Sequence, residues 1–250
     1  MEIQFKNYFA KYEKKDQNLV LENINFLIPQ GSMVAIIGPS GAGKSTIFNA
    51  ILDQLEIQSG VLEIDNKNLK DLSKKEHKKL LKKIGYLGQE PNLIEDLNVY
   101  ENILHLYSQY KNFIFTFFKI LTKKQKLEVF SVLEKLGILD KAFIRVSELS
   151  GGQKQRVEIA KLLLQKSELI LADEPTSSLD ILNAKEVINL LKNINKEFNT
   201  TVLVNIHDLN LLADNFSHIL AIKNGKVVSF ENNKNNLNEE FIKALYEKNS

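Results

Sequence analysis

Gly38-Pro39-Ser40-Gly41-Ala42-Gly43-Lys44-Ser45-Thr46 is the stretch on which the fold turns. Its spacing is G-x-x-x-x-G-K-S, and each residue type has a physical use. The glycines let the backbone curl until several N–H groups converge on one anion. A helix starting at Lys44 adds the positive end of its dipole. The Lys44 ammonium can reach the outer phosphates of a nucleotide, and the Ser45 hydroxyl can ligate Mg²⁺. Average residue frequencies give this pattern by chance in roughly 1% of chains of this length, and its setting narrows that further. Met33-Val34-Ala35-Ile36-Ile37 before it is a continuous apolar run, as a strand buried on both faces of a parallel sheet requires. The residues after it predict a helix from about Lys44 to Leu55.

Outward from this loop, Ile3, Phe5, Leu19, Leu21, Ile24, Phe26 and Ile28 alternate with polar residues, predicting an antiparallel β layer closed by a turn at Pro29-Gln30-Gly31. Residues 92–165 read mostly as helix. Glu101–Tyr110, Lys123–Leu136 and Gln153–Gln165 carry apolar residues at three-to-four spacing. Glu168–Ala172 and Thr201–Ile206 are further buried strands, flanking a helix from about Asn183 to Phe198. Lys223-Asn224-Gly225-Lys226 is a hairpin turn. A polar stretch over Asn232–Asn236 leads into a short terminal helix. The reading is α/β: a P-loop NTPase core with a parallel sheet, an N-terminal antiparallel β layer and an inserted helical subdomain. It is one unit, with core at about 1–91 and 166–231, insertion at about 92–165 and tail at about 232–250.

Composition narrows the function. With 250 residues and a net charge of +2, no global field favours nucleic acid or acidic lipid. The lysine pairs at 74–75, 78–79 and 82–83 read as a solvated helix face. No cysteine is present, which excludes disulfides, thiolate metal sites and Cys nucleophiles. The N-terminus lacks the apolar core of a signal peptide. The apolar stretch Phe113-Ile114-Phe115-Thr116-Phe117-Phe118-Lys119-Ile120-Leu121 is too short to cross a bilayer. Membrane association is therefore expected to come through a partner.

Three further constellations carry chemistry. Leu169-Ile170-Leu171-Ala172-Asp173-Glu174 is a buried strand ending in two carboxylates, at the sheet edge where open α/β folds bind ligands. Asp173 is suited to Mg²⁺ and Glu174 to polarising an attacking water. His207 follows the strand Thr201–Ile206. As that strand is read as a parallel neighbour, its end opens on the same edge, within reach of a γ-phosphate. Leu149-Ser150-Gly151-Gly152-Gln153 opens another helix. Ser150 is suited to cap it, and the glycines leave N–H groups open, making a second anion site. A single P-loop enzyme has no use for two.

On these residues the chain resembles the ATP-binding subunits of ABC transporters over about residues 2–231. The motifs follow the family's order: the Lys44 loop, a Q-loop at Gln89, the signature Leu149–Gln153, the Asp173-Glu174 strand end, a D-loop at Ser177-Ser178-Leu179-Asp180 and the switch histidine His207. The resemblance implies the ABC α-helical subdomain in the insertion, Tyr12 stacking on adenine, and Gln89 coupling γ-phosphate and Mg²⁺ to that insertion. It also implies a head-to-tail homodimer or paired ATPase subunit. Each ATP would then lie between Gly38–Thr46 of one chain and the helix opened by Ser150, Gly151, Gly152 and Gln153 of the other, with the D-loop residue Asp180 also implied in nucleotide binding. The implied setting is the cytoplasmic face of the cell membrane, bound to an integral permease and served indirectly by an extracytoplasmic solute-binding protein. Val204-Asn205-Ile206-His207, with Asn where most importers have Thr before the histidine, and the phenylalanine-bearing insert before Leu133–Ala142 look like phosphonate-importer ATPases. Asp208 departs from that group, which often has Gln. Importers of thiamine, amino acids or metals, and exporters, share the cassette. A soluble ABC ATPase of repair or translation usually adds coiled coils, zinc hooks or a second cassette. A GTPase needs an Asn-Lys-x-Asp that Asn66-Lys67-Asn68-Leu69 lacks.

Overall fold

The computed structural model describes residues 1–107, 117, 121–212, 215–232 and 239–247 of the chain. The continuous apolar runs become the centre of a six-stranded sheet. β3 (Met33–Ile37), β7 (Leu169–Asp173) and β8 (Thr201–Asn205) are parallel neighbours, with β6 (Ile84–Leu87) beyond β7 and β9 (His218–Lys223) beyond β3. β10 (Lys226–Asn232) closes the edge antiparallel, giving the order β10-β9-β3-β8-β7-β6. A second sheet is antiparallel, with order β2-β1-β4-β5. It comprises β1 (Ile3–Lys11), β2 (Leu21–Ile28), β4 (Glu56–Ile64) and the two-residue β5 (Lys67–Asn68).

Side chains alternate across a strand, so the parallel sheet feeds two cores. Val34, Ile36, Leu171 and Leu203 face Ile3, Phe5, Ile24, Leu62 and helix α1 (Lys44–Ile51) through Ile47, Phe48 and Ile51. Met33, Ala35, Ile37, Ile170, Val202 and Val204 face the helical side. There α5 (Gly151–Gln165) packs against α3 (Val99–Leu106), α4 (Lys123–Lys135) and α6 (Ile181–Phe198). The short terminal helix α7 (Glu239–Tyr246) buries Leu245 in the same core. The lysine-rich segment is helix α2 (Lys74–Leu81), capped by reciprocal Ser73 and Glu76 hydrogen bonds and with no buried residue, as a solvated face requires.

Several boundaries differ from the sequence expectation. α1 stops at Ile51, and the chain turns at Asp53 in a left-handed conformation (φ 57°) so that β4 can begin at Glu56. The helix expected at 101–110 starts at Val99, two residues early, because Asn98 and Glu101 form a capping box. Residues 108–110 and Phe113, Phe115 and Phe118 lie outside the described residues. β4 and β6 carry no pattern that announced them. Among the described residues no helix is long and apolar enough to cross a membrane.

Candidate functional site

The site lies where β3, β8 and β7 end side by side. The loop leaving β3 takes left-handed or related positive φ at Gly38, Gly41 and Gly43. At Gly38 (φ 150°) a Cβ would fall 2.1 Å from the Ile222 carbonyl of β9, so only glycine lets the loop leave the sheet there. The β9–β10 turn braces the loop from outside, with Gly225 N donating to Ala42 O (2.8 Å). Tyr246 of α7 reaches the loop's start, its hydroxyl accepting from Gly38 N (3.3 Å).

Lys44 is 5% exposed, and its Nζ donates to Gly38 O (2.9 Å) and Pro39 O (3.2 Å). Burial pulls the ammonium below the ordinary lysine value, and the Glu174 and Asp173 carboxylates oppose that shift. The loop lines a cleft of about 540 Å³ together with Tyr12, Leu19, Val20, Glu174 and Asn224. Tyr12, half exposed, contacts Thr46 through its hydroxyl (3.2 Å). A positively charged cradle with an aromatic wall of this size suits a nucleoside triphosphate.

Across the sheet edge, Ser45 Oγ donates to Asp173 Oδ1 (3.0 Å). A hydroxyl and a carboxylate are hard oxygen donors of the kind Mg²⁺ takes. Among the described residues no cluster of three or more His, Cys, Asp or Glu is set to hold a metal. A cation here would complete its shell from phosphate oxygens and water, which is the usual Mg²⁺ arrangement at nucleotide sites. Asp173 is further held by Asn205 Nδ2 on Oδ1 (2.6 Å) and by the Tyr86 hydroxyl on Oδ2 (3.1 Å).

Glu174, next along the chain, takes a left-handed backbone conformation (φ 52°). This turns its carboxylate away from that of Asp173 and onto His207, with Nε2 and Oε1 2.6 Å apart. Between them opens a second hollow of about 310 Å³, reaching Thr176, Ser177 and Ala184. Gln89 is exposed beyond β6 on the same edge.

Residues 150–153 are not among the lining of the Lys44 cleft. Ser150 and Gln153 form a capping box: Ser150 Oγ accepts from Gln153 N (3.3 Å) and Gln153 Oε1 from Ser150 N (3.0 Å). Gly152 allows close packing on α6, since a Cβ there would meet Asn183 Oδ1 at 2.8 Å. Asp180 caps α6, accepting from Asn183 N and Nδ2, and those bonds hold its carboxyl below the usual range. Gln155, buried behind the signature, donates to Pro175 O (3.0 Å) and ties α5 to the turn after Glu174.

The sequence reading did not anticipate Tyr86, Asn205, Gly225 or Tyr246 as supports of the site. Asn205 had left a signal: a lone amide in an otherwise apolar, fully buried strand end needs a polar partner.

Residues 21–177 match the ABC transporter family. The phosphonates import ATP-binding protein of Lactococcus lactis subsp. lactis is 39% identical over 246 residues, covering 98% of this chain and 99% of that one. Among solved structures, cbiO1 of Clostridium perfringens, part of the ABC transporter complex cbiONQ, superposes with a TM-score of 0.82 at 28% identity, covering 96% and 92% of the two chains. The ATP-binding cassette MJ0796, in a dimeric post-hydrolysis state bound to ADP and Pi, has a TM-score of 0.71 at 34% identity, with 92% and 98% covered. The chain belongs to the ABC transporter family, as one of its ATP-hydrolysing subunits.

Proposed function

We propose that this subunit binds MgATP in the Lys44 cleft, closes on it as a head-to-tail dimer, and energises a permease that imports a phosphonate or another organophosphorus solute. The observation that carries the ATPase reading is the convergence of Lys44, Ser45, Asp173, Glu174 and His207 on one sheet edge. Lys44 and the loop N–H groups hold the phosphates, and Tyr12 walls the adenine. Ser45 and Asp173, with Gln89 alongside, would hold Mg²⁺, and the ion when bound would supply positive charge beside the phosphates. Glu174 accepts a proton from the attacking water, and His207, hydrogen-bonded to it, is within reach to contact the γ-phosphate. Bound to a permease, the subunit would sit at the cytoplasmic face of the membrane.

The dimer accounts for Ser150–Gln153, a capped helix N-terminus that lies outside the lining of its own chain's cleft. Ser150→Arg is expected to remove hydrolysis while leaving ATP binding by the monomer within a few-fold of wild type, because the new side chain enters the partner's site. Mixed with Lys44→Ala, it should regain ATP-driven dimerisation at the one site built from two sound halves, read by sizing chromatography. Loss of ATP binding by the Ser150 variant alone would contradict sharing of the site across subunits.

The solute reading is supported by the Asn205-Ile206-His207 strand and by the relatives that are phosphonates import proteins. The subunit reconstituted in vesicles with its genetic-neighbour permease and binding protein is expected to raise ATP turnover on addition of phosphonates or phosphate esters. Stimulation by an amino acid or a metal ion, with none by organophosphorus compounds, would overturn the solute and leave the ATPase intact.

A further inference from the structure

We propose that Asn205 and Tyr86 are positioning residues that clamp both oxygens of Asp173, presetting it and Ser45 to receive a divalent cation. The inference rests on the reading of Asp173 and Ser45 as cation ligands.

Asp173 ends the strand between β8 and β6, and each neighbour contributes one grip. Asn205 stands directly opposite Asp173 in the parallel register. Its Nδ2 donates to Asp173 Oδ1 at 2.6 Å and lies 3.4 Å from Ser45 Oγ. Ser45 Oγ donates to the same Oδ1 at 3.0 Å. Its remaining lone pair can still face a cation, since a hydroxyl has one donor and two acceptor sites. From the other side the Tyr86 hydroxyl donates to Oδ2 at 3.1 Å.

The orientation of the Asn205 amide is dictated chemically. An ionised carboxylate only accepts hydrogen bonds, so the NH₂ end must face Asp173. Oδ1 then faces the other way. It is buried and has no donor among the described residues, in a side chain only 1% exposed. Buried amide oxygens are rarely left unpartnered. Asn205 as a residue borders the hollow next to Glu174 and His207. It directs its amide donor to Asp173 and Ser45, the two residues read as cation ligands.

The test uses the full chain with Mn²⁺ as probe, a non-hydrolysable ATP analogue, and the free-Mn²⁺ electron paramagnetic resonance signal. Asn205→Leu keeps the volume of a fully buried position. Tyr86→Phe keeps the ring and its edge contact with Phe48 (centroids 6.5 Å apart). Each is expected to weaken Mn²⁺ binding about 10-fold or more, within the 10–100-fold range for groups that orient metal ligands. Analogue affinity in EDTA should stay near wild type. Mn²⁺ affinity unchanged in Tyr86→Phe and in folded Asn205→Leu, while Asp173→Asn abolishes binding, would overturn the positioning role and leave the cation site standing. Mn²⁺ binding that survives both Asp173→Asn and Ser45→Ala would remove the cation site itself. If Asn205→Leu does not fold, Tyr86→Phe decides alone.

Discussion

Glu174→Gln is expected to lower ATP turnover by about 10²–10⁴-fold, the usual contribution of a positioned general base, while ATP affinity stays within a few-fold of wild type. The amide keeps the shape of the side chain and its hydrogen bond to His207, now 2.6 Å away, but cannot take a proton. The left-handed backbone at Glu174 (φ 52°) is no harder for Gln than for Glu, so the fold should be unaffected. Stalled before hydrolysis, the variant should accumulate as an ATP-bound dimer. Sizing chromatography with and without MgATP, beside a phosphate-release assay, reads both effects. A monomer under all conditions, or turnover within tenfold of wild type, would remove Glu174 from this role.

Lys44→Ala is expected to abolish tight ATP binding. The ammonium is nearly buried and held by two loop carbonyls beside the cleft, so it is already oriented when phosphate arrives. A hydrogen bond to a charged group contributes about 1.5–3 kcal/mol. Its loss therefore raises the dissociation constant by about 10–100-fold or more. Calorimetric titration measures this directly. Thermal melting supplies the control: without nucleotide the variant should melt near wild type, whereas the upward shift with added ATP should vanish. Unchanged affinity in a folded variant would defeat the assignment of the phosphate loop.

What was legible in the sequence follows from what is local. The strands β3, β7 and β8 are unbroken apolar runs, and only burial on both faces accounts for them. Lys44, Ser45, Asp173, Glu174 and His207 are each fixed by a neighbouring strand end or loop, so the sheet brings them together once its strands are parallel. Gln89, Tyr12 and Asp180 had no such local warrant and came from the resemblance. β4 escaped notice because most of its residues are only half-buried or exposed, and alternation appears only near its end. β6 is four residues long, too short for a period to register. The grip on Asp173 depends on register between strands: Asn205 lies 32 residues from Asp173 and Tyr86 lies 87. Composition contains no record of which strands adjoin. The early end of α1 had no glycine or proline to mark it, since Asp53 supplies the left-handed turn.

The position of β3 has a consequence for how the ribosome delivers this chain. Its two sheet neighbours are β8 and β9, and β8 starts at Thr201, about 160 residues after β3 ends. At about 5–20 residues per second, translation takes roughly 8–30 s to cover that interval. Meanwhile one face of the strand, Val34 and Ile36, can be covered at once by β1, β2, α1 and β4, all emerged by Ile64. Its other face waits for the helices of residues 99–198, and both edges wait for the last fifth of the chain. Open edges on an apolar strand recruit other strands. The early antiparallel layer thus serves the nascent polypeptide as a one-sided shield, and the phosphate loop gains its brace only when Gly225 has been made.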